Sequence, residues 1–291
     1  MTDMISSLLR SLDLVRTSAK VLRSDPELLI LPALSGVATL AVGGALVWQA
    51  IGSGIIPSPE HAQPGMQPGT GFYVWMFLFY FVEYFIIIFF NTALVGAAIA
   101  KLDGGDPTIG SAIALAWGRL PAIIGYALIS ATVGVLLRWL ADKLGFIGRL
   151  IEFGAGLAWT VATFLVVPVL AAEGVGPIKA ISRSGELLNE TWGENLVGRS
   201  GISVVMSLIA GIVTALGIGA GVKLVDDGAN SVGISVIVVT VFVLLGIVIV
   251  STALSAIYSG AVYYFAFTGD APKGFDKTLI REAFDRKPPE A

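Results

Sequence analysis

The chain has 291 residues, of which 55% are hydrophobic and only 13% charged, about half the charged fraction of an ordinary soluble domain. That is a membrane composition; the net charge of −3 says little about partners, and no basic patch exists for nucleic acid. With no cysteine, a disulfide framework and a thiolate metal site are both excluded.

A bilayer core of ~30 Å takes about 20 helical residues to cross. Six apolar runs of that order follow one another: Leu28 to Trp48, Phe72 to Ala100, Leu120 to Leu140, Ile147 to Ala172, Leu196 to Leu224 and Val232 to Phe267. They are continuous rather than alternating, which favours helices over a barrel, because a single span in lipid must satisfy its own backbone.

In chain order, the first 26 residues are too long and too mixed in charge for a signal-peptide n-region, so the first apolar run is read as an anchor. Ile5, Leu8, Leu12, Val15, Ala19 and Leu22 recur on one helical face of this segment. A polar knot, SDPEL, then precedes the first span. The loop PSPEHAQPGMQPGTG follows that span and holds the one histidine, His61, read as solvated. Span two contains FVEYFIIIFFN, with Glu83 near mid-bilayer and Asn91 two turns below it on a similar face.

The segments AKVLRSDPELLILPALSGVATLAVGG, AIALAWGRLPAIIGYALISATVGVLL and SGELLNETWGENLVGRSGISVVMSLIAG share one plan: an amphipathic run, a polar knot, and entry into the membrane. Pro26 and Pro121 suit the first turn of a new helix, while Gly118 and Gly193 suit the end of the preceding one. In PIKAISRSGELLNETW, Ile178, Ile181, Leu188 and Trp192 fall on one face, as expected of a helix lying in the membrane plane or packed on the protein's own end. Gly217, Gly219 and Gly221 in span five predict a close approach or a loosened turn, and Asp226-Asp227-Gly228 predicts a turn. In span six, Ser251, Ser255 and Ser259, with Thr252, Ala256 and Gly260, form a small-residue face. FDKTLIREAF is a weaker amphipathic run before the tail RKPPEA.

Threading six spans with the N-terminus inside leaves only Arg138, Lys143, Arg149 and Lys223 outside, a basic split of 14 to 4. By the positive-inside rule both termini are then cytoplasmic. The expected architecture is therefore all-α: a polytopic membrane protein with six transmembrane helices, arranged as three helix-plus-hairpin repeats with cytoplasmic interfacial helices. Residues 1–271 form one membrane domain and 272–291 a cytoplasmic tail. A plasma (inner) membrane of a prokaryote is the expected location.

The stretches FFNTALVGAAIAKLDGGDPTIGSAIALAWGRLP and TFLVVPVLAAEGVGPIKAISRSGELLNETWGENLVG resemble an uncharacterised prokaryotic family of six-span membrane proteins of unknown function. The similarity runs from the first SDPELL knot through span six. More loosely, the helix-then-hairpin repeats look like the membrane domain that precedes some glycerophosphodiester phosphodiesterases, although no such catalytic domain follows in this sequence. The resemblance implies a fold and supplies no site residues.

Enzyme motifs are weak. Gly198-Arg199-Ser200-Gly201 matches a rhomboid-like serine pattern, but the serine would need a neighbouring base, and the one histidine lies across the membrane. No catalytic residue, metal ligand set or cofactor is expected. The notable chemistry is polar side chains at membrane depth. At ~1.5 Å per residue, Glu83 lies about 4 to 5 Å outward of mid-bilayer, Glu152 about 11 Å, Arg138 about 12 Å and Arg149 about 16 Å. Glu83, Asn91, Arg138, Arg149 and Glu152 form a candidate intramembrane polar cluster, with Glu83 paired to Arg138 or Arg149 or hydrogen-bonded as a neutral acid. Buried charge in a bilayer points to function, so the expectation is a non-enzymatic protein that binds or moves lipid or a small solute. The alternative is a scaffold that recruits partners, membrane proteins or further copies of itself, through its helix faces.

Overall fold

The computed structural model of the chain describes residues 16–56, 69–192, 201–272 and 275, and among them there are helices and no strand. Helix α1 covers 16–24; a 3-10 turn, Pro26–Leu29, leads into α2, Ile30–Gly52. There follow α3 (Thr70–Leu102), α4 (Ile109–Gly118), α5 (Leu120–Ala162), α6 (Val166–Glu173), α7 (Pro177–Trp192), α8 (Gly201–Asp226) and α9 (Asn230–Thr268). Five stretches are long and apolar enough to cross a membrane: Pro26–Gly52, Thr70–Leu102, Leu120–Glu173, Met206–Asp226 and Asn230–Thr268.

The third of these is 54 residues long. Straight, it would extend roughly 80 Å at ~1.5 Å per residue, far beyond a ~30 Å hydrocarbon core. It is not straight. Gly145 has φ 58° and ψ −124°, a conformation open essentially to glycine. Beyond it the chain doubles back: a Cβ placed on Gly148 would lie 2.6 Å from the Leu140 carbonyl and 2.8 Å from Ala141 Cα. Residues eight apart in an unbroken helix are separated by about 12 Å. The two arms of α5 thus meet in a tight reversal, in the stretch where the sequence predicts the turn between spans three and four.

The first two knots break the helices as expected, while the third, with Gly193, lies outside the described residues. Asp25 (φ −146°, ψ 75°) ends α1 ahead of Pro26, and Arg119 (φ −103°, ψ 6°) separates α4 from α5 with Pro121 in its first turn. The long helices also share an exit that the sequence reading overlooks. Gly104, Gly174 and Gly269 all take positive φ, at 95°, 63° and 74°, and each stands three residues before a proline: Pro107, Pro177 and Pro272. A left-handed glycine stops each helix and the proline sets the direction of the next segment.

Packing is concentrated at the end that carries α1, α4 and α7. Leu31, Leu94, Leu102, Ile123, Leu165, Leu170, Leu187, Leu254, Ile257 and Phe265 are fully buried there. Toward the other end Leu40, Trp48, Phe146, Phe153, Leu216 and Phe242 are exposed. Apolar surface on that scale suits lipid rather than water. The α8–α9 hairpin closes through glycine: Gly217 faces Thr240, Gly221 faces Ile237, and a Cβ on Gly233 would lie 2.6 Å from the Gly221 carbonyl. Gly217 and Gly221 are thus the predicted close approach, while Gly219 has nothing near it. In α9, Gly260 meets Ala98 and Ile99 of α3, as the small-residue face predicts.

The predicted face of α7 holds at Leu188, which is buried, and at Ile181, which packs on the core, but needs correction at Ile178, and the side chain of Trp192 lies outside the description. The buried residues are Ala180, Ser184, Leu187 and Leu188, and Ile178 is 76% exposed. A helix wedged against α5, α6 and α9 buries the narrow side that small residues allow, which turns Ile178 outward. Of the N-terminal face, Ala19 and Leu22 pack on the core, while Ile5, Leu8, Leu12 and Val15 lie outside the described residues, as do His61, Ser200 and the tail beyond Phe275.

Candidate functional site: a polar cleft between α3, α6 and α9

The site grows out of a break in a membrane-length helix. After Ala162 the backbone leaves the helix for Thr163, Phe164 and Leu165 before α6 begins, and Pro168 within α6 has no N–H to give. A break at membrane depth exposes backbone groups that lipid cannot satisfy. Ser184, fully buried on α7, satisfies two of them: its Oγ donates to the Ala162 carbonyl at 2.8 Å and accepts the Leu165 N–H at 3.1 Å. Thr163 Oγ1 donates back to the Trp159 carbonyl at 2.7 Å. The sequence offered no signal for Ser184, because its partners lie about twenty residues away on another helix.

Beside this break, a cleft of about 280 Å³ opens between α3, α6 and α9. One wall is apolar, formed by Phe164, Val167 and Pro168. The other is polar and uncharged: Asn91 from α3, with Ser251, Thr252, Ser255 and Ser259 from α9. Thr252 and Ser259 spend their hydroxyl protons on the Val248 and Ala256 carbonyls, at 2.9 and 3.1 Å. Among the described residues, Asn91, Ser251 and Ser255 have no side-chain hydrogen-bond partner, so their polar atoms are available to whatever fills the cleft. The volume is far above the ~10–15 Å³ that one water needs and just below the ~300–1,000 Å³ typical of small-molecule sites.

The five polar residues singled out from sequence stand in separate places. Asn91 is in the cleft. Glu83 faces α2 instead, where a Cβ on Gly43 would lie 2.5 Å from its Oε1. Eight residues along a helix bring a side chain round by about 80°, enough to put Glu83 and Asn91 on different neighbours. Arg138 Nε pairs with Asp142, one turn on, at 3.4 Å, and Tyr73 Oη donates to the same carboxylate at 3.4 Å. Arg149 is exposed and Glu152 half-buried, just past the Gly145 reversal. No ion pair or hydrogen bond joins any two of the five; in place of the expected partners Arg138 and Arg149, Glu83 has Thr39 beside it.

Charge pairing gathers instead at the α1–α4–α7 end. Lys101 Nζ lies 3.3 Å from Asp25 and 2.9 Å from Asp106, tying the first knot to the exit of α3. Arg183 bridges Glu173 at 3.5 Å and Glu186 at 3.3 Å, and Tyr263 Oη donates to Glu173 at 3.2 Å. The Arg119 side chain lies over Gly174, in space that any β-carbon there would occupy. These contacts fasten the short helices to the exits of the long ones. They leave the cleft without a charge.

Residues 70–274 match the Family of unknown function (DUF6159), a stretch that includes α3 through α9 and so the whole cleft. The chain belongs to this family. That agrees with the uncharacterised family the motifs resemble, while the looser likeness to phosphodiesterase membrane domains finds no support in the match. No curated protein and no solved structure matches the chain.

Proposed function

We propose that this DUF6159 protein is a non-enzymatic six-span protein of the inner membrane that binds a lipid or small solute by a neutral polar group in the cleft between α3, α6 and α9. One observation carries the reading: Asn91, Ser251 and Ser255 present unpaired polar atoms at membrane depth, beside a helix break. In hydrocarbon an unsatisfied polar group costs several kcal/mol, so an occupant that satisfies them stabilises the fold. Discontinuous helices beside a mid-membrane cavity are also where transporters place their substrates. The lining has no charged residue, which favours a hydroxyl- or amide-bearing group over an ion.

Counting the stretches before and after Gly145 as separate arms supports six crossings. The three glycine–proline exits and the knots before α2 and α5 support three related units. The basic asymmetry of the sequence supports a cytoplasmic position for the α1–α4–α7 end. A scaffold role draws on α8, which packs chiefly on α9 and has only 6% of its most apolar stretch buried.

Native mass spectrometry of the protein solubilised from its own membrane tests the binding reading. The wild type is expected to retain a bound small molecule, and Ser255→Phe, which fills the cleft, to lose it while still folding, as judged by a cooperative thermal transition. Identical bound masses in the two proteins would overturn the cleft as the site.

A further inference from the structure

Glu83 stands apart from the cleft and poses a separate problem. It is only 8% exposed, and its Oε1 is enclosed with no hydrogen-bond partner. Gly43 of α2 makes the space: any β-carbon there would sit 2.5 Å from that oxygen. Thr39, one turn earlier on α2, lies beside the carboxyl, and its own Oγ1 is also enclosed and unpartnered.

No cation is at hand to neutralise the carboxylate. Among the described residues, α2 and α4 contain no ionisable side chain. On α3 the neighbouring Tyr80 and Tyr84 lie against Gly134 of α5. Arg138 and Asp142 of α5 are paired to each other, with Tyr73 on Asp142. The ionisable groups of α6 and α9 are Glu173 and the tyrosines 258, 263 and 264 at the opposite end, where Glu173 is held by Arg183. Nor is there room for a metal ion, which needs several oxygen ligands; the site offers one carboxyl and one hydroxyl. A proton requires no added volume. A threonine hydroxyl can serve either state, accepting from an acid O–H or donating to an anion, so Thr39 would meet the carboxyl in both as the seam moves.

We propose that Glu83 is a proton-carrying site: closed into the seam between α2 and α3, its carboxyl holds one exchangeable proton that leaves and returns when the seam opens. The seam can open because α2 lies at the edge of the bundle, with 22% of its most apolar stretch buried, and packs mainly on α3. This inference does not depend on what occupies the cleft.

The test is carbodiimide labelling of the full chain in proteoliposomes, read by peptide mass mapping. Dicyclohexylcarbodiimide partitions into the membrane and adds to protonated carboxyls, leaving a stable acylurea. At neutral pH it is expected to modify Glu83 in preference to the other acids, with no such adduct in Glu83→Gln, while a water-soluble carbodiimide leaves Glu83 unmodified. Labelling should fall as pH rises, by roughly ten-fold per unit once the proton is lost. Absence of the Glu83 adduct at neutral pH would overturn the proposal. So would labelling that stays constant at every pH at which the protein remains folded.

Discussion

Ser184 shows how one hydroxyl permits a broken helix in the membrane. By bonding the Ala162 carbonyl and the Leu165 N–H together, it replaces two backbone partners lost where α5 ends. An orphaned buried group costs about 1–3 kcal/mol. Ser184→Ala is therefore expected to lower stability in detergent by at least that much, measured by thermal unfolding; an unchanged transition would mean the break satisfies itself. Serine at this position reads as an ordinary helix residue, because sequence spacing carries no information about a partner on another helix. The same limit applies to Glu83. Its depth was readable from its place in span two, but Gly43 as its neighbour was not, since the contact is set by how α2 crosses α3.

Among the elements, α5 and α7 show opposite sides of the relation between pattern and packing. Two apolar runs separated by ADKLGF predict two helices and a turn, and Gly145 provides it. Gly148→Leu would force a side chain into the Leu140 carbonyl, where backbone cannot yield, and overpacking of this kind costs about 1–3 kcal/mol. Urea or thermal denaturation in detergent should register that loss, whereas Gly154→Leu, at a position with open space, should leave stability near wild type. In α7 the helical period is right but the seated face is not Ile178, because Ala180 and Ser184 let neighbouring helices approach more closely. Leu187→Ala should cost about 2–5 kcal/mol as a cavity in the core. Ile178→Ser should change detergent stability by no more than about 0.5 kcal/mol, as measured in the same assay.

Across the whole molecule, the tightly packed end and the open end divide the labour between holding the fold and meeting lipid. The native chain has no cysteine, so single cysteines report topology without background. In intact cells, cysteines replacing Gln63 and Ser231 are expected to react with a membrane-impermeant thiol reagent, and those replacing Asp106 and Glu282 are not. Reaction at Asp106 in sealed cells would reverse the orientation.

The sequence by itself determined that this is a helical protein with membrane-length apolar segments, and where those segments break. Both properties are local: hydrophobic length, proline and glycine act on the backbone where they stand. Tertiary structure decided which polar residues meet. It sent Asn91 to a cleft with the serines of α9 and Glu83 to a seam with α2, while Arg138 pairs locally with Asp142 one turn along its own helix. The physical reason is rotational. A residue's depth in the membrane follows from counting along the chain, but its partners follow from the angle at which each helix presents it, and that angle is fixed only when the helices pack.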